Sequence, residues 1–276
     1  MAVAAPPVDR RGDWPVSPAG RVALLDVDPD LAAAMSPERA AGLRSELTAA
    51  VYRLSRGAMP PAPATPEHEV HLGFLVLKGL ILREVMVCGR PTAELIGPGD
   101  LVRPWAGSNG ELLPCTVKWT VLEQSLLADL GPAFAMRVSG RPELLEALIA
   151  RSVERAENLA VQRSIASHVR VDVRVLAFLW HLAERYGVVV PGAVRINVPL
   201  THSVLARLVG ARRPTVTTAL QRLMHLGYLQ REARAFVLVG DAGAVGELES
   251  RSPSRDFEMP ENGGARIAPA AYSLPD

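Results

Sequence analysis

The chain has 276 residues, 49% of them hydrophobic, with a net charge of +1 and two cysteines. That length accommodates two domains with cores of their own, and two cysteines exclude both a disulfide framework and an iron–sulfur cluster ligated within one chain. No uninterrupted apolar run approaches the ~20 residues that cross a bilayer, and the start of the chain, with Pro6, Pro7, Asp9, Arg10 and Arg11, lacks an apolar segment of signal-peptide type, so a cytoplasmic location without a membrane partner is expected.

Residues 1–20 are rich in Pro, Ala and Gly and read as a flexible N-terminus. A first domain is expected over 21–138. Its patterned stretches 22–25, 30–35 and 37–51 predict short helices before the first strand, with Ser36 and Pro37 forming a capped start. Four prolines within 57–66 predict a loop. From Glu69 the period changes: 70–79, 80–87, 92–96 and 116–122 are short apolar or alternating runs. They are separated by Gly79, by Gly89-Arg90-Pro91 and by Gly97-Pro98-Gly99-Asp100, all turn formers. Five or more strands with no helix between them indicate an antiparallel roll or jelly-roll barrel.

A short helix follows over 133–138 and a long one from Pro142 to about His168. Leu145, Ile149, Ser152, Ala156, Leu159 and Arg163 recur along it at alternating spacings of three and four, a seam that calls for a partner helix, so 139–168 is assigned to homodimerisation. The alternative, packing of this seam on the chain's own roll, stays open. A helix over 169–186 introduces a second domain, 169–240, and 241–276 turns to Gly, Ser, Pro and charge and reads as a disordered tail.

The most informative stretch is 199–240. Thr201 suits the N-cap of a short helix whose Leu205, Leu208 and Val209 share a face, and Gly210 can adopt the positive φ that ends it. A second helix follows, with Pro214 tolerated in its first turn. Val216, Leu220 and Leu223 point inward, leaving Arg212, Arg213, Thr217, Thr218 and Gln221 toward solvent. Two short helices around a glycine turn make a helix-turn-helix, the second helix being the one that enters a major groove. Residues 228–239 then read as two strands around a tight turn, a wing with Arg231 and Arg234 near its tip. Charge follows the same boundary: 166–240 carries ten Arg against three acids, a balance of +7, whereas 1–165 stands at −2. Such concentration of positive charge suits phosphate contact with double-stranded DNA.

An α+β chain of antiparallel β-roll, long dimerisation helix and C-terminal winged helix-turn-helix, in this order, resembles the Crp/Fnr family of bacterial transcription regulators. The resemblance covers roughly 24–240 and is most specific at Leu200-Thr201, Ala206, Val209-Gly210, Arg213, Thr215-Val216 and Leu220. In the roll, 75–79 and 95–100 resemble the two glycine corners of the cyclic-nucleotide-binding domain. The resemblance implies that Arg213 reads guanine, whose O6 and N7 match the guanidinium fork. The next family position is commonly Glu; here it is Pro214, so Thr217, Thr218 and Gln221 remain as shorter base readers. Thr201, Arg207, Arg212, Thr215, Arg222, Arg231 and Arg234 are assigned to phosphates, which position without specifying. For the five arginines the alternative of a solvated surface charge stays open.

The cassette with which the family grips a cyclic nucleotide is absent, since no Arg-Ser-Ala follows Gly99-Asp100. No cofactor, and no binding of cAMP or cGMP, is expected; a small-molecule effector of unknown identity remains open. Arg103 could meet an anion or stay a surface charge. Cys88 and Cys115 read as buried thiols, with oxidative pairing as the alternative. His68, Glu69 and His71 could supply metal ligands, and Trp105 and Trp119 could line a pocket or fill the barrel. The chain is not expected to be an enzyme. A rival reading makes the β domain a metal-binding or enzymatic barrel with a helical interaction module, and another makes it the scaffold of a constitutive repressor.

Overall fold

The computed structural model describes residues 18–60, 70–104 and 113–251. The N-terminal domain runs β1 (Gly20–Ala23), α1 (Leu24–Val27), a 3-10 turn (Pro29–Ala32), α2 (Pro37–Leu43), β2 (Thr48–Leu54), β3 (Gly57–Ala58), β4 (Gly73–Val87), β5 (Arg90–Ile96), β6 (Leu101–Val102) and β7 (Cys115–Leu130). The strands form one antiparallel sheet ordered β1-β2-β7-β4-β5, with β3 added on β7 and β6 on β4. Of the stretch expected to be flexible, 1–17 lies outside the described residues. Gly20 already opens β1, and Ala19 N donates to Val51 O at 2.7 Å.

Several expectations for this domain are corrected. Val22 and Ala23, expected in a helix ahead of the first strand, belong to β1, and the helix starts at Leu24. The helix expected over 37–51 stops at Leu43, and 48–54 is a strand. Ser36 caps that helix as expected, its side chain accepting from Arg39 N. Beyond it, Ala49, Val51 and Leu54 are buried, and pairing with β7 overrides the helical propensity of the alanines. Gly79 also does not separate two strands. β4 runs through it with register shifts against β7, and at φ +93° the glycine lets the strands close together, since a Cβ there would lie 2.4 Å from Gln124 O.

The chain continues through α3 (Pro132–Val138) into α4 (Pro142–Ser167), about 39 Å long. Leu144 and Leu148 join the roll's core with Leu24, Leu47, Leu75 and Phe134. The second domain runs α5 (Val171–Tyr186), β8 (Gly187–Val190), β9 (Ala193–Ile196), α6 (His202–Leu208), α7 (Arg213–His225), β10 (Leu229–Glu232), β11 (Ala235–Val239) and α8 (Ala244–Ser250). The wing is present as β10 and β11, but it belongs to a four-stranded sheet ordered β10-β11-β9-β8, whose other two strands the periodicity did not announce. The tail expected from Asp241 is corrected too: α8 buries Ala244 and Leu248 in the core that α5 and α7 share. Only 252–276 of that tail lies outside the described residues.

The domains meet over a continuous apolar contact, because Leu80, Leu82 and Ala93 of the roll join the same core as α5, α6 and α7. Polar ties surround it. Gln162 Nε2 on α4 donates both to Ala93 O (2.6 Å) in the roll and to Leu208 O (2.8 Å) in α6. At the end of α5, Arg185 reaches Asp100 (2.9 Å) and Tyr186 packs its hydroxyl where a side chain at Gly97 would stand, 2.3 Å from the place of a Cβ. The Gly97–Asp100 corner is thus a socket for α5.

Candidate nucleic-acid interface

Local chemistry builds the helix-turn-helix as its sequence predicts. Thr201 Oγ1 accepts from Val204 N (3.2 Å) and caps α6, whose Val204, Leu205, Ala206 and Leu208 are buried. Gly210 takes φ +63° at the turn. Arg212 is extended at the N-cap of α7, Pro214 falls in the first turn, and Val216, Ala219, Leu220 and Leu223 are buried. The wing turns through Ala233 at φ +48°, a left-handed conformation that costs a non-glycine residue roughly 1 kcal/mol.

This frame leaves Arg212, Arg213, Thr215, Thr218, Gln221, Arg231 and Arg234 exposed. Arg231 lies with its guanidinium carbon 4.0 Å from the centre of the Phe236 ring, and partial burial lowers its pKa from the ordinary arginine value. Three predicted DNA contacts are engaged elsewhere. Arg207 pairs with Glu84 of β4 at 2.7 Å, and Arg222 with the buried Asp172 at 3.2 Å. Asp172 also holds Arg170 (2.7 Å) and accepts from Val173 N (3.0 Å), so the start of α5 and the middle of α7 share one carboxylate. Thr217 is half-buried: its hydroxyl donates to Arg213 O (3.1 Å) and lies 2.9 Å from His202 Nδ1. Sequence periodicity placed Thr217 on the solvent face and had no means of pairing Arg222 with Asp172, fifty residues away, or Arg207 with Glu84 in the other domain.

On α4, Ile149 (63% exposed), Ser152, Ala156 and Leu159 lie open and Leu145 is half-buried. Val153 and Val161 extend the same helix's exposed apolar set. Between α4 and the roll, Arg83, Leu101, Arg103, Trp119, Ser152 and Arg155 line a cleft of about 250 Å³. Glu94 at its back is buried and holds Arg83 (3.0 Å) and Arg155 (2.5 Å). Trp119 therefore lines a polar cleft, with Arg83 5.7 Å from its ring centre; Trp105 lies outside the described residues. Cys88 is exposed in the β4–β5 turn at φ +50° and Cys115 is half-buried, which corrects the expectation of two buried thiols. His71 is committed within the roll, its Nε2 2.9 Å from Asp129 and its Nδ1 accepting from Gly73 N (3.1 Å), while His68 and Glu69 lie outside the described residues. Among the described residues no group of three potential metal ligands occurs, and no helix is long and apolar enough to cross a membrane.

A capped helix-turn-helix with a wing, carried on an antiparallel roll by a long helix, defines a winged-helix protein of nucleic-acid-binding type. Residues 173–244 match the Crp-like helix-turn-helix domain. The chain is 36% identical over 128 residues to a CRP-like cAMP-activated global transcriptional regulator of Mycobacterium tuberculosis, covering 45% of this chain and 54% of that one. It is 32% identical over 150 residues to the regulatory protein CysR of Synechococcus elongatus, covering 52% and 64%. The match thus spans about half to two thirds of the length of these curated relatives. In fold the chain is similar to a CooA variant of Carboxydothermus hydrogenoformans (TM-score 0.57, 18% identity, 88% of this chain and 99% of that one). It is similar also to FixK2 of Bradyrhizobium japonicum (TM-score 0.54, 15% identity, 74% and 98%). The chain thus carries a Crp-like helix-turn-helix domain over 173–244, on a fold similar to that of these two structures.

Proposed function

We propose that this protein is a sequence-specific regulator of transcription that binds double-stranded DNA as a homodimer in the cytoplasm, with α7 in the major groove. The observation that carries this reading is the N-terminal turn of α7, where Arg212 and Arg213 stand exposed at the end of a recognition helix that the turn and core hold rigidly. Arg213 is the guanine reader, Gln221 a second base contact, and Thr201, Arg212, Thr215, Arg231 and Arg234 are phosphate contacts. The exposed apolar face of α4 supports pairing with a second copy, and two-fold symmetry then sets half-sites about one helical turn apart. Regulation rather than catalysis is the role. The relative from Mycobacterium tuberculosis is cAMP-activated by name; for this chain, lacking the Arg-Ser-Ala cassette, a domain that does not bind cAMP is the better reading.

Selection of bound sequences from random duplex DNA by the purified protein, at stated salt and without added ligand, tests this. A palindromic motif with guanine at a fixed step is expected, and Arg213→Ala should lose about 2 kcal/mol at that step alone. Salt-sensitive binding without any enriched sequence would refute the reading.

A further inference from the structure

The outer face of α7 carries fewer free hydrogen-bonding groups than its side chains suggest. Pro214 has neither an N–H nor a polar side-chain atom. Thr218 Oγ1 donates to Pro214 O (3.3 Å) and Thr217 Oγ1 to Arg213 O (3.1 Å). A hydroxyl has a single proton, so Thr218 has committed its own to the carbonyl one turn back, while Thr217 is held between Arg213 O and His202 Nδ1. Past Arg213, the exposed pair one turn apart is therefore Pro214, a hydrocarbon ring, and Thr218, whose donor is occupied and whose methyl remains.

Such a pair cannot donate to N7 or O6 of a purine, and it offers no carboxylate to the amino group of cytosine. Thr218 Oγ1 keeps acceptor lone pairs, but the rest of the surface is apolar and suits the C5 methyl of a pyrimidine, which is recognised by apolar contact. We propose that the base step beside the guanine taken by Arg213 is read through a C5 methyl held against the Pro214 ring and the Thr218 methyl. Pro214 is then a specificity-determining residue, and thymine the preferred base. The inference rests on the reading of α7 as the major-groove helix. Thymine and 5-methylcytosine share the methyl, and the experiment separates them.

The probe is the highest-affinity duplex recovered by selection from random DNA, resynthesised with deoxyuridine in place of each thymine in turn. Loss of one buried methyl should weaken binding about fourfold at the step next to the guanine and leave other steps unchanged. Cytosine at that step should bind more weakly than thymine, and 5-methylcytosine should recover part of the loss, because the surface that meets it is apolar. Pro214→Glu, which keeps a residue suited to a helix's first turn, should abolish the uracil penalty and move the preference to cytosine. A guanine-containing motif whose neighbouring step ignores the methyl, or selects another base, would overturn this inference and leave the DNA-reading proposal standing. Failure to enrich any motif would remove both.

Discussion

The two helices of the helix-turn-helix place their arginines differently. α7 begins with Arg213 exposed beside an exposed Arg212, whereas near the end of α6 Arg207 turns away and pairs with Glu84 of the roll. The same contrast runs through the domain. Arg170 and Arg222 hold Asp172, Arg185 holds Asp100, Arg195 holds Glu232, and Arg174 reaches the carbonyls of His168 and Gly210. Among the described residues, Arg212, Arg213, Arg231 and Arg234 of the ten arginines in 166–240 have no carboxylate or carbonyl partner. A charge surplus read from sequence therefore overstates the DNA-facing charge, because arginine is also this fold's means of tying helices to each other and to the roll.

The comparison breaks first at Asp172. Asp172→Ala leaves Arg170 and Arg222 facing each other without their shared carboxylate, and should cost about 3 kcal/mol in thermal or urea unfolding. Arg222→Met, which keeps much of the stem's packing, should cost less and should leave the salt dependence of DNA binding unchanged. A reduced salt slope in that variant would return Arg222 to the phosphate contacts.

Tyr186 tests the junction with the roll. Burial pushes its pKa up to about 12, opposed by Arg185 and reinforced by Asp100. The phenol of the unfolded chain ionises near pH 10 and that of the folded chain two units higher, so the contribution is complete below pH ~10 and is lost as the pH rises from ~10 to ~12. The loss should be on the order of 2 to 3 kcal/mol, and Tyr186→Phe should remove this alkaline limb from the stability curve. An unchanged limb in that variant would show that the hydroxyl is solvated.

The smallest effect separates the two sets of arginines directly. Arg212→Ala should reduce the slope of log K against log salt by about 1, as expected for one lost phosphate contact, while Arg207→Ala should leave it unaltered. Equal slopes for the two variants would mean that Arg207 leaves Glu84 when DNA binds.

How much was legible depended on how local the cause was. Thr201 capping α6, Gly210 closing the turn, Pro214 in the first turn and the inward Val216, Leu220 and Leu223 are effects of neighbours within a few residues, and all appear as read. The seam on α4 was equally visible, since Ile149, Ser152 and Ala156 follow a helical repeat and lie exposed. The errors fell where a distant partner decides. Residues 48–54 are rich in helix-compatible residues and become a strand because β7 is beside them. Gly79 looks like a turn until Gln124 and Ser125 are seen to need its missing side chain. α8 looked like tail because two buried residues, Ala244 and Leu248, are too few to show a period.

By itself the sequence determined the helix-turn-helix, its wing, the roll's strand-rich character and the long helix, because caps, turns and apolar spacing act over one or two turns of chain. Only the tertiary structure decided which arginines and threonines remain free to meet DNA. Glu84, Asp172 and His202 meet Arg207, Arg222 and Thr217 through folding rather than through sequence proximity, and each such pair withdraws a group that the sequence had assigned to the surface.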